Sequence, residues 1–385
     1  AKSEQFDYPG QSLAEAVSEA GVRTRAYSAN PLVSSLKGFD RGFDDFNSGW
    51  HVYSADPDIF DWSGMMSDSS LGPPLQYPAL VAKCLLDRDT PTIESLRGGW
   101  RMYQSPDDGA VAIRDWAQRT SYSDDEFLFI NLMEAHAPYT PPEEYRTIEL
   151  PGESIGDVAE TILQADVDLN VYWQAYHDSA RYLADIYRDT FAVLSEAFDV
   201  VITTADHGEL FGEHGARAHF HGVYEELTHV PLVISDGRDN HKSVDDVVSL
   251  LDVHATVADL HGLDLDSRGR SLIGTSGSVV PPGDGSYLTE YLGFRPHRLG
   301  IFANLGFTQA EIDPYDVELF GLATGEDYYG HETVEGFVER GTATDDNPRA
   351  LLNQLLSERS VREVEVEQEE LPDKTLRRLR NLGYA

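Results

Sequence analysis

Two short polar clusters each follow an apolar run, and their residue types could do chemistry. The first is Ala205-Asp206-His207-Gly208-Glu209, directly after Val200-Val201-Ile202-Thr203-Thr204. An aspartate beside a histidine offers a hard oxygen and an imidazole nitrogen, a pairing suited to a divalent cation. Gly208 permits close backbone approach at the turn. Five of the 13 histidines (His207, His214, His219, His221, His229) crowd into positions 207–229. The rival reading of Asp206 is a helix-capping turn residue, but polar groups gathered at a strand tip seldom serve packing. The second cluster is Glu134-Ala135-His136-Ala137-Pro138-Tyr139-Thr140-Pro141-Pro142, after the run Phe127-Leu128-Phe129-Ile130-Asn131-Leu132. A histidine in a Pro-rich loop suits proton transfer or contact with an anionic oxygen, although loop histidines are often incidental.

The elements that must position these residues can be read from the pattern. Residues 11–17 predict an amphipathic helix stopped at Gly21, followed by a strand at 22–27. Residues 50–125 are rich in Gly, Pro, Ser and Asp and predict irregular structure, with one helix at 111–119. The run at 127–132 reads as a strand buried on both faces of a parallel sheet. Helical spacing over 166–197 feeds a second buried strand at 200–204, a third follows at 230–234, and 251–261 reads as a helix. This alternation predicts an α/β fold, a doubly wound and mostly parallel sheet with its sites beyond the strands' carboxyl ends. After Pro281-Pro282-Gly283-Asp284-Gly285 the pattern changes to short strands at 287–290, 299–305 and 317–320, and a last helix at 374–382. The expected division is an α/β domain at 1–285 and a smaller α+β subdomain at 286–385.

Composition bounds the function. Across 385 residues, Lys+Arg 29 against Asp+Glu 67 gives a net charge of −38, which repels a phosphate backbone and argues against nucleic-acid binding. Hydrophobic content of 41% is globular, and no apolar run approaches the ~20 residues of a membrane span. The single cysteine, Cys84, excludes a disulfide framework and a Cys-rich zinc site. It reads as a small buried hydrophobe. The opening AKSEQFDYPG shows no signal peptide. Lysine is scarce (Lys2, Lys37, Lys83, Lys242, Lys374). A charge this large is tolerated where salt shortens the Debye length to about 3 Å at 1 M, which points to the cytoplasm of a high-salt organism.

The string VVITTADHGELFGEHG (200–215), with HGVYEE (221–226) and VPLVI (230–234), resembles the sulfatase family of the alkaline-phosphatase superfamily. FLFINLMEAHAPYTPP (127–142) resembles that family's strand-plus-histidine motif. SLAEAVSEAGVRTRAYSANPLVS (12–34), GFDRGF (38–43), LDVHAT (251–256) and LRNLGY (379–384) fit in order, so the likeness runs nearly end to end. It implies hydrolysis of sulfate, or phosphate or phosphonate, esters of a small molecule or glycan, using one divalent cation (Ca, Mg or Mn). Asp206 and His207 would ligate the cation. His136 would contact the ester or leaving-group oxygen. His221 stands near the place of a family lysine, with His219 close by, and Asn30 near another lysine that touches substrate.

The family also begins with a strand carrying an Asp pair and a nucleophile motif, and this sequence starts after that place. Cys84-Leu85-Leu86-Asp87-Arg88 has a Cys and an Arg but no intervening proline, and lies too late. The expectation is therefore a chain with negligible turnover by itself, two of its usual metal ligands and an unpaired strand edge inside its sheet. Two other readings stay open: a non-catalytic scaffold that binds a glycan or protein, and a two-metal phosphomutase or phosphatase using His214, His219 and His221.

Overall fold

The computed structural model describes residues 5–50, 56, 58–67, 73–104, 107–149, 168–238, 242–273, 285–304, 306–343, 347–359 and 361. They form two compact units, one from the described residues of Glu4–Ala14 and Val22–Phe198, the other from those of Glu15–Gly21 and Asp199–Val366. Helix α1 (Leu13–Glu19) is followed by Gly21 at φ 86°, a backbone state that favours glycine, and then strand β1 (Arg23–Ser28). The helix, stop and strand expected at 11–27 are all present.

In the first unit β1 lies between β2 (Asp45–Ser48) and β3 (Glu126–Asn131), parallel to both, with Ser28 opposite Asn131. Parallel neighbours need long crossovers. Residues 50–125 supply one, and here the expected irregular stretch is corrected. It contains α2 (Trp62–Ser67), α3 (Pro73–Leu86) and α4 (Thr92–Gln104) besides the expected α5 (Ala110–Arg119). Glycine and proline hid these helices, but burial of Phe60, Trp62, Leu80 and Cys84 in one cluster overrides weak propensity. Cys84 is thus a packing residue, and burial pushes its thiol pKa up. The long helix α6 (Leu169–Ala197) starts at Asp168, whose carboxylate accepts the Asn170 amide at 2.9 Å. One face of α6 buries Tyr172, Tyr182, Ile186 and Leu194. Behind the sheet, Tyr27, Ala29, Ile113 and Met133 form a core cluster that joins β1, α5 and the end of β3.

In the second unit β4 (Val201–Thr204) leads into a hairpin of β5 (Leu210–Phe211) and β6 (Arg217–Ala218), then α7 (Glu225–Thr228) and β7 (Leu232–Ser235). β7 pairs antiparallel with β4, because the hairpin and one helical turn between them reverse the chain instead of crossing over. Among the described residues β3 and β4 each have a strand neighbour on one side. Helix α8 (Leu250–Leu260) opens with a capping box of Ser249 and Asp252.

Beyond it β8 (Ser286–Leu292), α9 (Pro296–Asn304), α10 (Gln309–Ile312), β9 (Glu318–Thr324), β10 (Tyr328–Thr333) and β11 (Gly336–Arg340) precede α11 (Pro348–Glu358). The strands make an antiparallel sheet in the order β11-β10-β9-β8. Leu352 of α11 packs on Phe320, Leu322 and Tyr328 of that sheet. The strand expected at 299–305 is a helix: proline occupies its first position, and Arg298 and Phe302, four residues apart, are both buried. The expected helix at 374–382, the tail at 379–384 and most of the 281–285 hinge lie outside the described residues.

Candidate functional site

Strand β4 delivers the Asp206–Glu209 turn. Gly208 sits so close to α7 that a Cβ there would overlap the Glu226 carbonyl oxygen, and its amide donates to the Leu227 carbonyl at 2.9 Å. Only glycine fits that approach. Thus anchored, the turn presents Asp206 to solvent, with 73% of its side chain exposed. The His207 Nδ1 lies 2.8 Å from the Gly208 carbonyl oxygen. A carbonyl only accepts, so Nδ1 carries a proton and Nε2 is the nitrogen left to act as a ligand. That nitrogen lies 3.8 Å from Asp206 Oδ1. A histidine oriented through its other nitrogen by a backbone carbonyl is the usual arrangement of a metal-ligating imidazole. The spacing also approaches that of two ligands each about 2.0–2.2 Å from one ion. These two residues fit a cation; no cluster of three or more His, Cys, Asp or Glu ligands occurs among the described residues.

The β5–β6 hairpin brings the chain back over the turn. His219 stacks on His207 with centroids 4.2 Å apart, and its Nδ1 lies 3.2 Å from Glu209 Oε2. Asp206, His207 and His219 are therefore brought together. Glu209 joins them; its place in the DHGE string was visible in the sequence, but its role as a partner for His219 was not.

His221, two residues on, is in a different environment. It is 3% exposed, its ring lies against Tyr291 (5.2 Å) and Tyr315 (5.1 Å), and Tyr224 and Phe294 stand 6.0 and 6.5 Å away. Neither ring nitrogen has a hydrogen-bond partner among the described residues. Burial pulls its pKa down to about 4, so at neutral pH the ring is uncharged. His214 is used elsewhere, stacked on Tyr224 at 4.1 Å with Nε2 3.1 Å from Glu226 Oε2.

In the first unit Asn30 and His136 leave the carboxyl ends of the neighbouring parallel strands β1 and β3, where ligands of open α/β sheets are bound. Asn30 Oδ1 accepts the Leu32 amide at 2.8 Å, which orients the side chain and turns its N–H groups outward from that bond. His136 sits in a turn closed by its own amide on the Met133 carbonyl (2.8 Å), and its Nδ1 lies 2.5 Å from the Ala137 carbonyl oxygen. The Ala137-Pro138 bond is cis, and buried Tyr139 is ringed by Tyr172 (5.3 Å) and Tyr176 (5.4 Å) of α6. Sequence reasoning passed over Glu134 and Asp107, two carboxylates that meet the first turn of α5. The available signal was Asp107-Asp108-Gly109 standing just before an amphipathic helix.

A family model described as Sulfatase matches residues 4–263. Arylsulfatase K of Bos taurus is 39% identical over 83 residues, covering 21% of this chain and 15% of that protein, so the match spans a small part of that relative's length. Among solved structures, a phosphonate monoester hydrolase of Agrobacterium radiobacter superposes with a TM-score of 0.51 at 16% identity, covering 92% of this chain and 81% of that one. A second, from Silicibacter pomeroyi, gives 0.49 at 16% identity over 91% and 79%. At that identity the likeness to the first speaks for the fold alone, an α/β architecture of the expected class.

Proposed function

The chain belongs to the sulfatase family, and on that premise we propose that it is a hydrolase of sulfate or phosphonate esters, working with one divalent cation. The supporting observation is the orientation of His207, with Nδ1 on a backbone carbonyl and Nε2 turned to Asp206 at 3.8 Å. Asp206 and His207 would hold the cation, which when bound withdraws negative charge from an ester oxygen. On the family likeness His136, its ring oriented through Nδ1, would be assigned to the ester or leaving-group oxygen. His221, uncharged at neutral pH and with both ring nitrogens buried among Tyr291, Tyr315 and Phe294, presents no open face to an ester, so the contact expected of it from the sequence is not carried forward. Asn30 offers side-chain N–H donors to the anion, and His219, held against Glu209, lines the cation pair. The substrate is a sulfated, phosphorylated or phosphonylated small molecule or glycan. No described residue is assigned as nucleophile, and buried Cys84 is unsuited to it.

One observation favours the second reading, a scaffold that binds without turnover: no third ligand joins Asp206 and His207 among the described residues. A two-metal reading gains no support, since His214 and His221 are each packed against aromatic rings. Calorimetric titration with Mn²⁺ in 2 M KCl, with p-nitrophenyl sulfate and phosphonate ester hydrolysis measured on the same samples, tests the proposal. One ion bound, with binding, and whatever turnover the chain shows, lost in His207→Ala, is the expected result. Binding that survives His207→Ala overturns the cation assignment, and binding without turnover selects the scaffold.

A further inference from the structure

Glu134 lies two residues before His136 and is 4% exposed. Its Oε1 accepts the Ala110 amide at 2.5 Å, and its Oε2 accepts the Met133 amide at 3.1 Å. The carbonyl of the same Met133 accepts the His136 amide at 2.8 Å. Met133 is therefore held at both ends of its backbone, by the Glu134 carboxylate on one side and by His136 on the other. The second anchor of Glu134 is the first turn of α5. There Gly109 and Val111, the neighbours of Ala110, give their amides to Asp107 at 3.1 and 3.0 Å. Tyr182 of α6 donates its hydroxyl to Asp107 Oδ2 at 2.7 Å. One buried carboxylate thus couples the strand end that carries His136 to a helix terminus fixed independently.

Both bonds to Glu134 come from N–H donors, which only an ionised carboxylate accepts equally at its two oxygens. Protonation converts one oxygen into a hydroxyl donor. That donor faces an N–H, and one of the two anchors is lost. We propose that Glu134 is a positioning residue for His136, holding its loop in one arrangement when ionised and releasing it into a second when protonated. The inference rests on His136 acting at the site as read above.

The groups that face Glu134 decide where this change falls. They are Asp107 and Asp108 on the turn before α5, and Tyr182 on α6 with Arg114 of α5 near it. Burial first, then the charges of Asp107 and Asp108, push the Glu134 pKa up to about 8, against the opposing pull of the Ala110 amide. The change is therefore centred in the neutral to mildly alkaline range.

The test reads His136 directly and needs no turnover. The protein is labelled with ¹³Cε1-histidine, and the His136 signal is assigned from its loss in His136→Gln and followed from pH 5 to pH 10 in 2 M KCl. Wild type is expected to show the ring's own titration and a separate inflection near pH 8. Glu134→Gln, whose amide N–H₂ imitates the protonated carboxyl, is expected to hold the low-pH position with no inflection there. Asp107→Asn, which removes a facing charge, is expected to move the inflection to lower pH. A wild-type signal without that inflection, or one that persists unchanged in Glu134→Gln, overturns the proposal. If the inflection behaves as expected while ester hydrolysis is absent, Glu134 still positions His136, and it is the hydrolase reading that fails.

Discussion

Acidification acts on the aromatic box around His221, and the size of the effect follows from its burial. The unfolded ring titrates near 6.5 and the folded ring near 4. Between those values the unfolded chain binds a proton that the folded chain refuses, so the stabilising contribution is present above pH 6.5 and is lost as pH falls through about 4. At about 1.36 kcal/mol per pH unit, the gap corresponds to a loss of about 3 kcal/mol. His221→Phe keeps an aromatic ring against Tyr291 and Tyr315 but cannot titrate. The assay is urea unfolding of both proteins in 2 M KCl at pH 7, 6, 5 and 4. At pH 7 the variant should be no less stable than wild type, because it removes two buried ring nitrogens without partners. By pH 4 the difference should have moved in the variant's favour by about 3 kcal/mol. His331, also held down by burial, is present in both proteins and cancels. Parallel pH profiles would refute the reasoning, because a ring that takes its proton freely in the folded state is not enclosed as described.

Gly208→Ala forces a methyl group into the Glu226 carbonyl and should cost about 1–3 kcal/mol; thermal unfolding measures it, and a variant as stable as wild type would show that the turn is not anchored on α7. With a net charge of −38, stability should rise steeply from 0.1 to 2 M KCl as self-repulsion is screened, which urea titrations at fixed pH would reveal. A midpoint independent of salt would contradict the role given to the acidic surface.

The strand tips were legible because an apolar run that ends in polar residues stands out, although β3 and β4 are only partly buried among the described residues, with Phe129 exposed, and not covered on both faces as the runs suggested. Asp206, His207 and His136 do follow the ends of β4 and β3, as that pattern placed them. Helices α2–α4 were not legible, since the burial of Trp62 and Leu80 that fixes them is a tertiary fact and their local composition argues for loop. The helix Pro296–Asn304 was mistaken for a strand because a short apolar run fits either period until partners are known. The antiparallel run of β7 depends on whether the intervening chain crosses over or doubles back, which strand spacing does not encode. Glu134 was hidden for another reason. Its significance lies in two amide partners, one of them 24 residues away, and an isolated glutamate beside a histidine carries no such signal.

The enclosure of His221 has a temporal consequence. Three of its walls, Tyr291, Phe294 and Tyr315, come from chain made 70 or more residues later, and the Tyr329 hydroxyl reaches back 106 residues to the Val223 carbonyl at 2.6 Å. A ribosome adding about 5–20 residues per second leaves this histidine bare to water for at least several seconds. During that interval its ring titrates as an ordinary imidazole, with only Tyr224 of its four aromatic walls already made. Completion of this pocket is therefore among the last events of the unit's synthesis, gated by the arrival of the C-terminal sheet.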